Sequence, residues 1–324
     1  MPRVLITGAG GFIGSHLVDS QLERGFEVRA IDLHLDLLQH QKDHPRLEII
    51  TGDLTKVDLI QLLNDVDTVY HLASAHLDVA LSDEHYRLVN VVATRNLLAA
   101  AQRAGVRRFV HCSSVGVIGD VEQPPANEES ACHPTNIYER TKLEGERVAL
   151  EFASQTGFPI VVMRPAWVYG PRCPRTAKLF RTISKGRFPI FGRGRNMRHP
   201  VYISDAIRGL ELCAEAAGVE GEMFIVAGAQ PVESKELVNA ISRALRVRVQ
   251  QIHFPVWLGL AGGAIIEIAF KLLGRRPPFS RRSIDFFLKH NAYDISKAQN
   301  RLGYQPQVNL QDGLQKTIAS MKNQ

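Results

Sequence analysis

Tyr138 and Lys142 stand four residues apart in Tyr138-Glu139-Arg140-Thr141-Lys142. On a helix that spacing stacks a phenol and an ammonium on one face. A phenol with a reference pKa of about 10 is too weak an acid to trade protons near neutrality. A neighbouring cation favours the phenolate and lowers that pKa. The pair could then take the proton of an alcohol while its carbon gives up hydride, or return it in reverse. Such a pair recurs by chance in long chains and needs support. Phe109-Val110-His111-Cys112-Ser113-Ser114 supplies some, as a strand running into two serines. A hydroxyl at a strand end can hold the reacting oxygen, although serine is also a common turn former.

Hydride needs an acceptor. Thr7-Gly8-Ala9-Gly10-Gly11-Phe12-Ile13-Gly14 follows the first apolar run and opens the first helical pattern. Gly8, Gly11 and Gly14 are spaced G-x-x-G-x-x-G. Glycines there permit a tight turn and let a pyrophosphate approach the backbone, and the helix start offers N–H groups and a positive dipole end. The second run ends at Asp32, followed by Leu33. A carboxylate there suits the ribose hydroxyls of NAD and opposes the 2′-phosphate of NADP. A plain strand-end Asp is the other reading.

The elements that must carry these groups alternate. Val4–Thr7, Val28–Asp32, Leu47–Thr51, Thr68–His71, Phe109–Ser113 and Ile160–Arg164 are apolar and rich in β-branched residues, as strands buried on both faces should be. Helical patterns fall at Phe12–Arg24, His85–Ala104 and Ile137–Gln155. That alternation predicts an α/β fold, a Rossmann-type doubly wound parallel sheet. Residues 1–165 are expected to form the NAD-binding domain, with sheet contributions from about 200–230. Residues 166–324 are expected to form mainly a smaller, interleaved substrate lobe. Residues 165–200 read as loops around one helix, with helices expected at 204–217, 234–245, 256–273 and 310–321 and a strand at 223–226.

The chain has 324 residues, 45% hydrophobic and 22% charged, enough for an extensive core without disulfides or structural metals. Cys112, Cys132, Cys173 and Cys213 are scattered, so no metal site is read from them and reduced thiols are expected. The sequence opens directly into Val4-Leu5-Ile6 with no secretion-type leader, and a cytoplasmic location is expected. The net charge of +6 is partly local, in Arg275, Arg276, Arg281, Arg282 and Lys289. It reads as a solvated rim around a site for an anionic cofactor, with no nucleic-acid partner expected.

Together these residues resemble the extended short-chain dehydrogenases/reductases of the epimerase/dehydratase-like branch, over nearly the whole length. The likeness rests on Thr7–Gly14, Gly52-Asp53-Leu54, His71-Leu72-Ala73, Cys112-Ser113-Ser114, Tyr138–Lys142, Arg164-Pro165 and Val168-Tyr169-Gly170-Pro171. It continues in Val201-Tyr202-Ile203-Ser204-Asp205 and Leu302-Gly303-Tyr304-Gln305-Pro306. The resemblance implies that Ser114, Tyr138 and Lys142 are catalytic and that Lys142 also holds the nicotinamide ribose. It implies that Asp53 and Leu54 flank the adenine, that Leu72, Ala73 and Ser74 line the cofactor, and that Asn90 contacts it less directly. Phe12, Ile13, Ser113, Pro165 and Val168 complete the implied cofactor set. It also implies a homodimer through helices near 83–104 and 137–155, whose Leu97, Leu98, Val148 and Leu150 could equally be core.

The substrate is harder to read. Nucleotide-sugar enzymes of the family carry an Asn where this chain has Trp167. The Arg164-Pro165 pair and the run from Pro277 to Asp294 are similar to the 3β-hydroxysteroid dehydrogenase and sterol-decarboxylating dehydrogenase branch. Arg198, however, stands where sugar enzymes place a phosphate-binding Arg, and a surface or ion-paired Arg is the plain alternative. The leading expectation is an NAD-dependent dehydrogenase/reductase for a secondary alcohol or ketone, 3β-hydroxysteroid-like and apolar. The alternatives are a nucleotide-sugar 4-epimerase/dehydratase on the same residues, and a non-catalytic NAD-binding scaffold. Residues 255–273 are apolar but too short and Gly-interrupted to cross a bilayer. They read as a buried helix closing the smaller lobe, or as an apolar lid with a basic rim that touches a membrane surface.

Overall fold

The apolar runs of the N-terminal half lie side by side in the computed structural model, which describes residues 2–76, 81–272 and 281–322. The strands are β1 (Arg3–Thr7), β2 (Glu27–Asp32), β3 (Leu47–Thr51), β4 (Thr68–His71), β5 (Arg108–Cys112) and β6 (Ile160–Pro165). Four more follow before the sheet is completed: β7 (Trp167–Tyr169), β8 (Arg187–Phe191), β9 (Met197–Arg198) and β10 (Pro200–Tyr202). Then β11 (Met223–Val226) joins the edge, giving a seven-stranded sheet in the order β3-β2-β1-β4-β5-β6-β11. Every neighbouring pair is parallel. This is the doubly wound Rossmann-type α/β fold. The order reverses between β1 and β4, and the crevice beyond that point is where such sheets take ligands.

The helices are α1 (Phe12–Glu23), α2 (Leu59–Leu62), α3 (Asp83–Arg87), α4 (Ala93–Arg103), α5 (Ile137–Thr156), α6 (Pro174–Ile183) and α7 (Ile203–Glu215). After them come α8 (Ser234–Leu245), α9 (Val256–Leu272), α10 (Arg281–Leu288), α11 (Ser296–Leu302) and α12 (Leu310–Lys322). Two further strands, β12 (Val232–Glu233) and β13 (Gln250–Phe254), pair with β9 and β8. Each face of the sheet has its own core. One packs Leu17, Val18, Ala206 and Leu210 of α1 and α7 onto Val4, Ile6 and Val110. The other packs Leu97, Leu98, Ala149 and Ala153 of α4 and α5 onto Leu5, Val69, Phe109 and Val162.

Residues 165–200 are not only loops around α6, because β7 to β10 lie there or just beyond. These are two- to five-residue strands in two-stranded ladders, too short for a periodic pattern and set among Pro and Gly. The helical pattern of 85–104 is also interrupted. A π-helical turn at Leu88–Val92 separates α3 from α4. Gly145 of α5 meets that turn so closely that a Cβ there would lie 2.3 Å from Asn90 O. Leu97 and Leu98 are fully buried core residues, and so are not available to a second copy. The exposed apolar residues of that face are Leu88 and Val92.

One buried ion pair fastens α5 to the sheet. Arg164 of β6 forks onto Glu146, with Nε to Oε2 at 2.8 Å and Nη2 to Oε1 at 2.5 Å, and both side chains are buried. Removing one partner of such a pair strands the other charge, at a typical cost of about 3–5 kcal/mol. Arg164→Leu should therefore lower the urea midpoint severely, and Arg164→Leu combined with Glu146→Leu should recover most of the loss. A single variant with the wild-type midpoint would remove this pair from the account of α5.

Candidate active site

The start of α5 is set by its own sequence. Asn136 caps it by accepting from the Glu139 N–H at 3.1 Å, and Glu139 reaches back to accept from the Thr135 N–H at 2.7 Å. This is the reciprocal logic of a capping box, legible as Asn136-x-x-Glu139. Tyr138 follows the cap by two residues and remains half-exposed. One turn on, Lys142 is buried, with its Nζ donating to Cys112 O at the end of β5 at 2.5 Å. Burial lowers the Lys142 pKa, countered in part by Cys112 and Glu146.

Ser114 is half-buried just past β5, and its Oγ accepts from the Gly116 N–H at 3.0 Å, which leaves its proton to donate elsewhere. Ser113 beside it is buried, and its Oγ has no partner. His76 was not anticipated. Its ring meets Tyr138 edge-on, with centroids 4.3 Å apart.

The glycine turn is tighter than its spacing suggests. Gly8 has φ +71, and a Cβ on it would fall 2.6 Å from Ala73 N, so β1 and β4 touch through backbone. A Cβ on Gly14 would fall 2.1 Å from Gly8 O. Gly10, outside the spacing read from sequence, is the most constrained, with His34 O 1.6 Å from a built Cβ. Gly11 is the most tolerant, at 3.2 Å from Gly8 O. Asp32 accepts from the Gly10 N–H at 3.0 Å and the Leu33 N–H at 2.6 Å, so its carboxylate braces the turn. No side chain caps α1 and no acidic residue sits in its first turn, so the N–H groups of Phe12, Ile13 and Gly14 face the crevice uncovered by the chain. Phe12 and Ile13 are half-buried there.

Behind the site runs a satisfied polar chain. Thr7 Oγ1 accepts from the Ala73 N–H at 3.2 Å and lies 2.7 Å from His71 Nδ1. His71 Nε2 lies 2.9 Å from Thr94 Oγ1, which donates to Asn90 O at 3.0 Å. These partners use both ring nitrogens of a neutral His71 protonated on Nε2. Asn90 is buried, accepting from Ser74 Oγ and the Ala75 N–H and donating to Thr141 Oγ1 at 2.9 Å. Its side chain is thus occupied by protein, linking the β4 loop to α5. His111 lies against His71, with centroids 5.4 Å apart, and has no partner at either nitrogen. Burial first, then Lys142, pulls His71 down to about 3 and holds His111 well below the usual histidine range.

Other expected residues lie further out. Asp53 accepts from Thr55 N–H and Oγ1 and faces Lys56; burial opposes its charge, but these contacts hold its pKa below the usual carboxyl value. Leu54 packs on the second core, Leu72 donates its N–H to Thr7 O, and Pro165 and Val168 are buried at the β6 end. Trp167 is half-buried and stacked on Tyr169 at 6.0 Å. Its strand pairs Trp167 with Pro200, two residues from Arg198. Arg198 lies 4.8 Å over the Phe286 ring and donates from Nη1 to Asn291 at 2.5 Å, while its Nε is buried without a partner. Burial lowers its pKa to about 10, Tyr293 opposes that, and Arg175 adds to it. Among the described residues no carboxylate forms an ion pair with it. Lys289, expected in the basic rim, is instead paired with Glu139 and Asp285. Arg275 and Arg276 lie outside the described residues, as do residues 277–280 at the start of the run to Asp294.

The sequence model of the NAD dependent epimerase/dehydratase family matches residues 4–227. A sterol-4-alpha-carboxylate 3-dehydrogenase (decarboxylating) of Mus musculus is 26% identical, over 98% of this chain and 90% of its own. An N-acetyl-alpha-D-glucosaminyl-diphospho-ditrans,octacis-undecaprenol 4-epimerase of Escherichia coli O157:H7 is 27% identical, over 98% and 94%. A crystal structure of UDP-glucuronic acid 4-epimerase from Bacillus cereus in complex with NAD superposes with a TM-score of 0.80 at 28% identity, over 99% of both chains.

The histidine pair sets a pH dependence. Unfolded histidines titrate near 6.5, and the folded values of His71 and His111 lie below that. Above about pH 6.5 both states are neutral and the full stability is present. As pH falls below that value the unfolded chain takes up protons that the folded chain refuses, and stability is lost. The urea midpoint should be lower at pH about 5.5 than at about 7.5, and His111→Phe should flatten the difference. An unchanged pH slope in that variant would assign the titration to other groups.

Proposed function

The chain belongs to the NAD-dependent epimerase/dehydratase family, and on that premise we propose that it transfers hydride between NAD and a secondary alcohol or ketone through Ser114, Tyr138 and Lys142. That it is an NAD-dependent enzyme of the extended short-chain type is common to its relatives. The observation that carries the residue roles is the buried Lys142 ammonium held one turn beyond Tyr138 at the end of β5.

The residues fit the cofactor. The uncapped start of α1 offers Phe12, Ile13 and Gly14 N–H groups to a diphosphate, and Gly8 and Gly14 allow the backbone contacts that close the turn leading to it. Asp32 would accept from the ribose hydroxyls, and Asp53 and Leu54 would flank the adenine. Leu72, Ala73 and Ser74 would line the middle of the site, with Pro165 and Val168 at its far end. Ser113 Oγ, buried without a partner, is a donor and acceptor in need of one. Asn90 acts through position, since its amide is engaged by Ser74, Ala75 and Thr141.

NAD supplies the hydride acceptor when bound, and its reduced form the donor. Ser114 donates to the substrate oxygen and holds it. Tyr138 takes the hydroxyl proton during oxidation and returns it during reduction. Lys142 stabilises the phenolate by its charge, which is strongest where water is excluded.

For the substrate, Trp167 in place of a polar amide favours an apolar molecule such as a hydroxysteroid. Arg198 favours a second reading, because an enclosed cation that no carboxylate ion-pairs among the described residues, with Asp285 acting on it only as a nearby charge, suits an anionic group such as a sugar diphosphate. The relatives divide in the same way, one named for a sterol carboxylate and one for a diphospho-undecaprenol sugar. The two readings separate by assay. A hydroxysteroid oxidised with net NADH formation supports the first. Isomerisation of a UDP-sugar or polyprenyl-diphosphate sugar without net NADH, lost in Arg198→Ala, defeats it and establishes the second. Under either, Tyr138→Phe should cost on the order of 10²–10⁴-fold in kcat while leaving NAD binding nearly intact. A Tyr138→Phe enzyme with near wild-type turnover would sink the catalytic assignment.

A further inference from the structure

Helix α9 packs by one side only. Among its residues of described burial, Gly259 and Gly263 are buried, and a Cβ on Gly259 would fall 2.6 Å from the Phe191 ring; Val256, Ile266 and Phe270 share that side and are half-buried. Four of its large apolar side chains are exposed instead. Trp257 is 66% exposed, Ile265 68%, Leu258 42% and Leu260 38%. At about 100° per residue these four fall on one arc, opposite the two glycines. The helix is therefore buried on one side and leaves an apolar side exposed. Isolated exposed apolar residues are ordinary, but a continuous apolar face on one helix marks an interaction surface.

The surrounding charge says what that surface meets. From Arg243 to Arg282 the sequence holds eight Lys and Arg against one Glu, an excess larger than the +6 of the whole chain. Just before the helix start, Phe254 O accepts from the Gly192 N–H at 2.9 Å, and exposed Arg193 follows Gly192 directly. Beyond the helix end the sequence continues Gly274-Arg275-Arg276, and Arg281 and Arg282 open α10. An exposed cation thus stands by the start of the helix, and the sequence beyond its end is rich in Arg. The 17 residues of α9 span about 26 Å, short of the roughly 30 Å of a bilayer's hydrocarbon core, and no described helix is long and apolar enough to cross one. A helix of this kind lies in the interface, with its apolar face among the acyl chains and cations on anionic headgroups.

We propose that the α9 face docks this protein on an anionic phospholipid surface. The inference does not depend on which reaction the enzyme catalyses. Two measurements test it. In flotation with vesicles of equal parts phosphatidylcholine and phosphatidylglycerol, the protein should rise with the lipid, and it should do so far less with phosphatidylcholine alone or in high salt. Trp257→Ser combined with Ile265→Ser should weaken binding at least about tenfold, with NAD binding retained as the check on folding. Independently, Trp167→Phe leaves Trp257 as the only tryptophan of the chain. Its emission should shift to the blue on anionic vesicles and be quenched by brominated lipid. Equal flotation of wild type and double variant, or an unmoved Trp257 spectrum on bound vesicles, would overturn the proposal. Two other results would also overturn it. A dimer abolished by the double variant would assign the face to a second copy. Tight binding to duplex DNA with no binding to vesicles would assign the charge to nucleic acid.

Discussion

The site depends on keeping an ammonium charged where water does not reach it. Lys142 is buried, and burial alone works against its charge. The Cys112 carbonyl, at the very end of β5, supplies the compensating dipole. That contact fixes the height of α5 over the sheet, and the Arg164–Glu146 fork holds it there from the neighbouring strand. The histidines beneath conform to the same requirement. A protonated His71 or His111 would set like charges beside Lys142, and both are held neutral. Tyr138 inherits its position from this arrangement, one turn earlier on the same helix.

The second constraint is the backbone contact between β1 and β4. With Gly8 pressed on Ala73, nothing larger fits, and the crevice at the reversal of strand order stays narrow at its floor. Thr7, one residue earlier, ties that floor to His71 and onward through Thr94 and Asn90 to Thr141. The glycine turn and α5 are thus two ends of one buried polar chain.

The sheet and α5 were legible because their signals are local. Six β-branched runs became β1 to β6 within a residue or two, and Tyr138 and Lys142 share a helix. The segment from 165 to 202 was not, since two- to five-residue ladders carry no period of their own. Gly10 was missed because its constraint comes from His34, a residue distant in sequence. The contact of His76 with Tyr138 has no sequence signature either. Leu97 and Leu98 could not be divided between core and surface until the π turn set the phase of α4. The Asn136–Glu139 cap was present in the sequence and went unread.

That π turn has a consequence for which changes the chain can absorb. It holds one residue more than an α-helical turn would, and so rotates everything after it by about 100° relative to α3. Asn90 is aimed inward by that offset, while Leu88 and Val92 are left outward. Deleting a single residue there would restore a regular spiral and misalign every side chain on one side of the turn with those on the other. The segment therefore acts as a vernier between two stretches of helix, and its length is the property the fold holds it to.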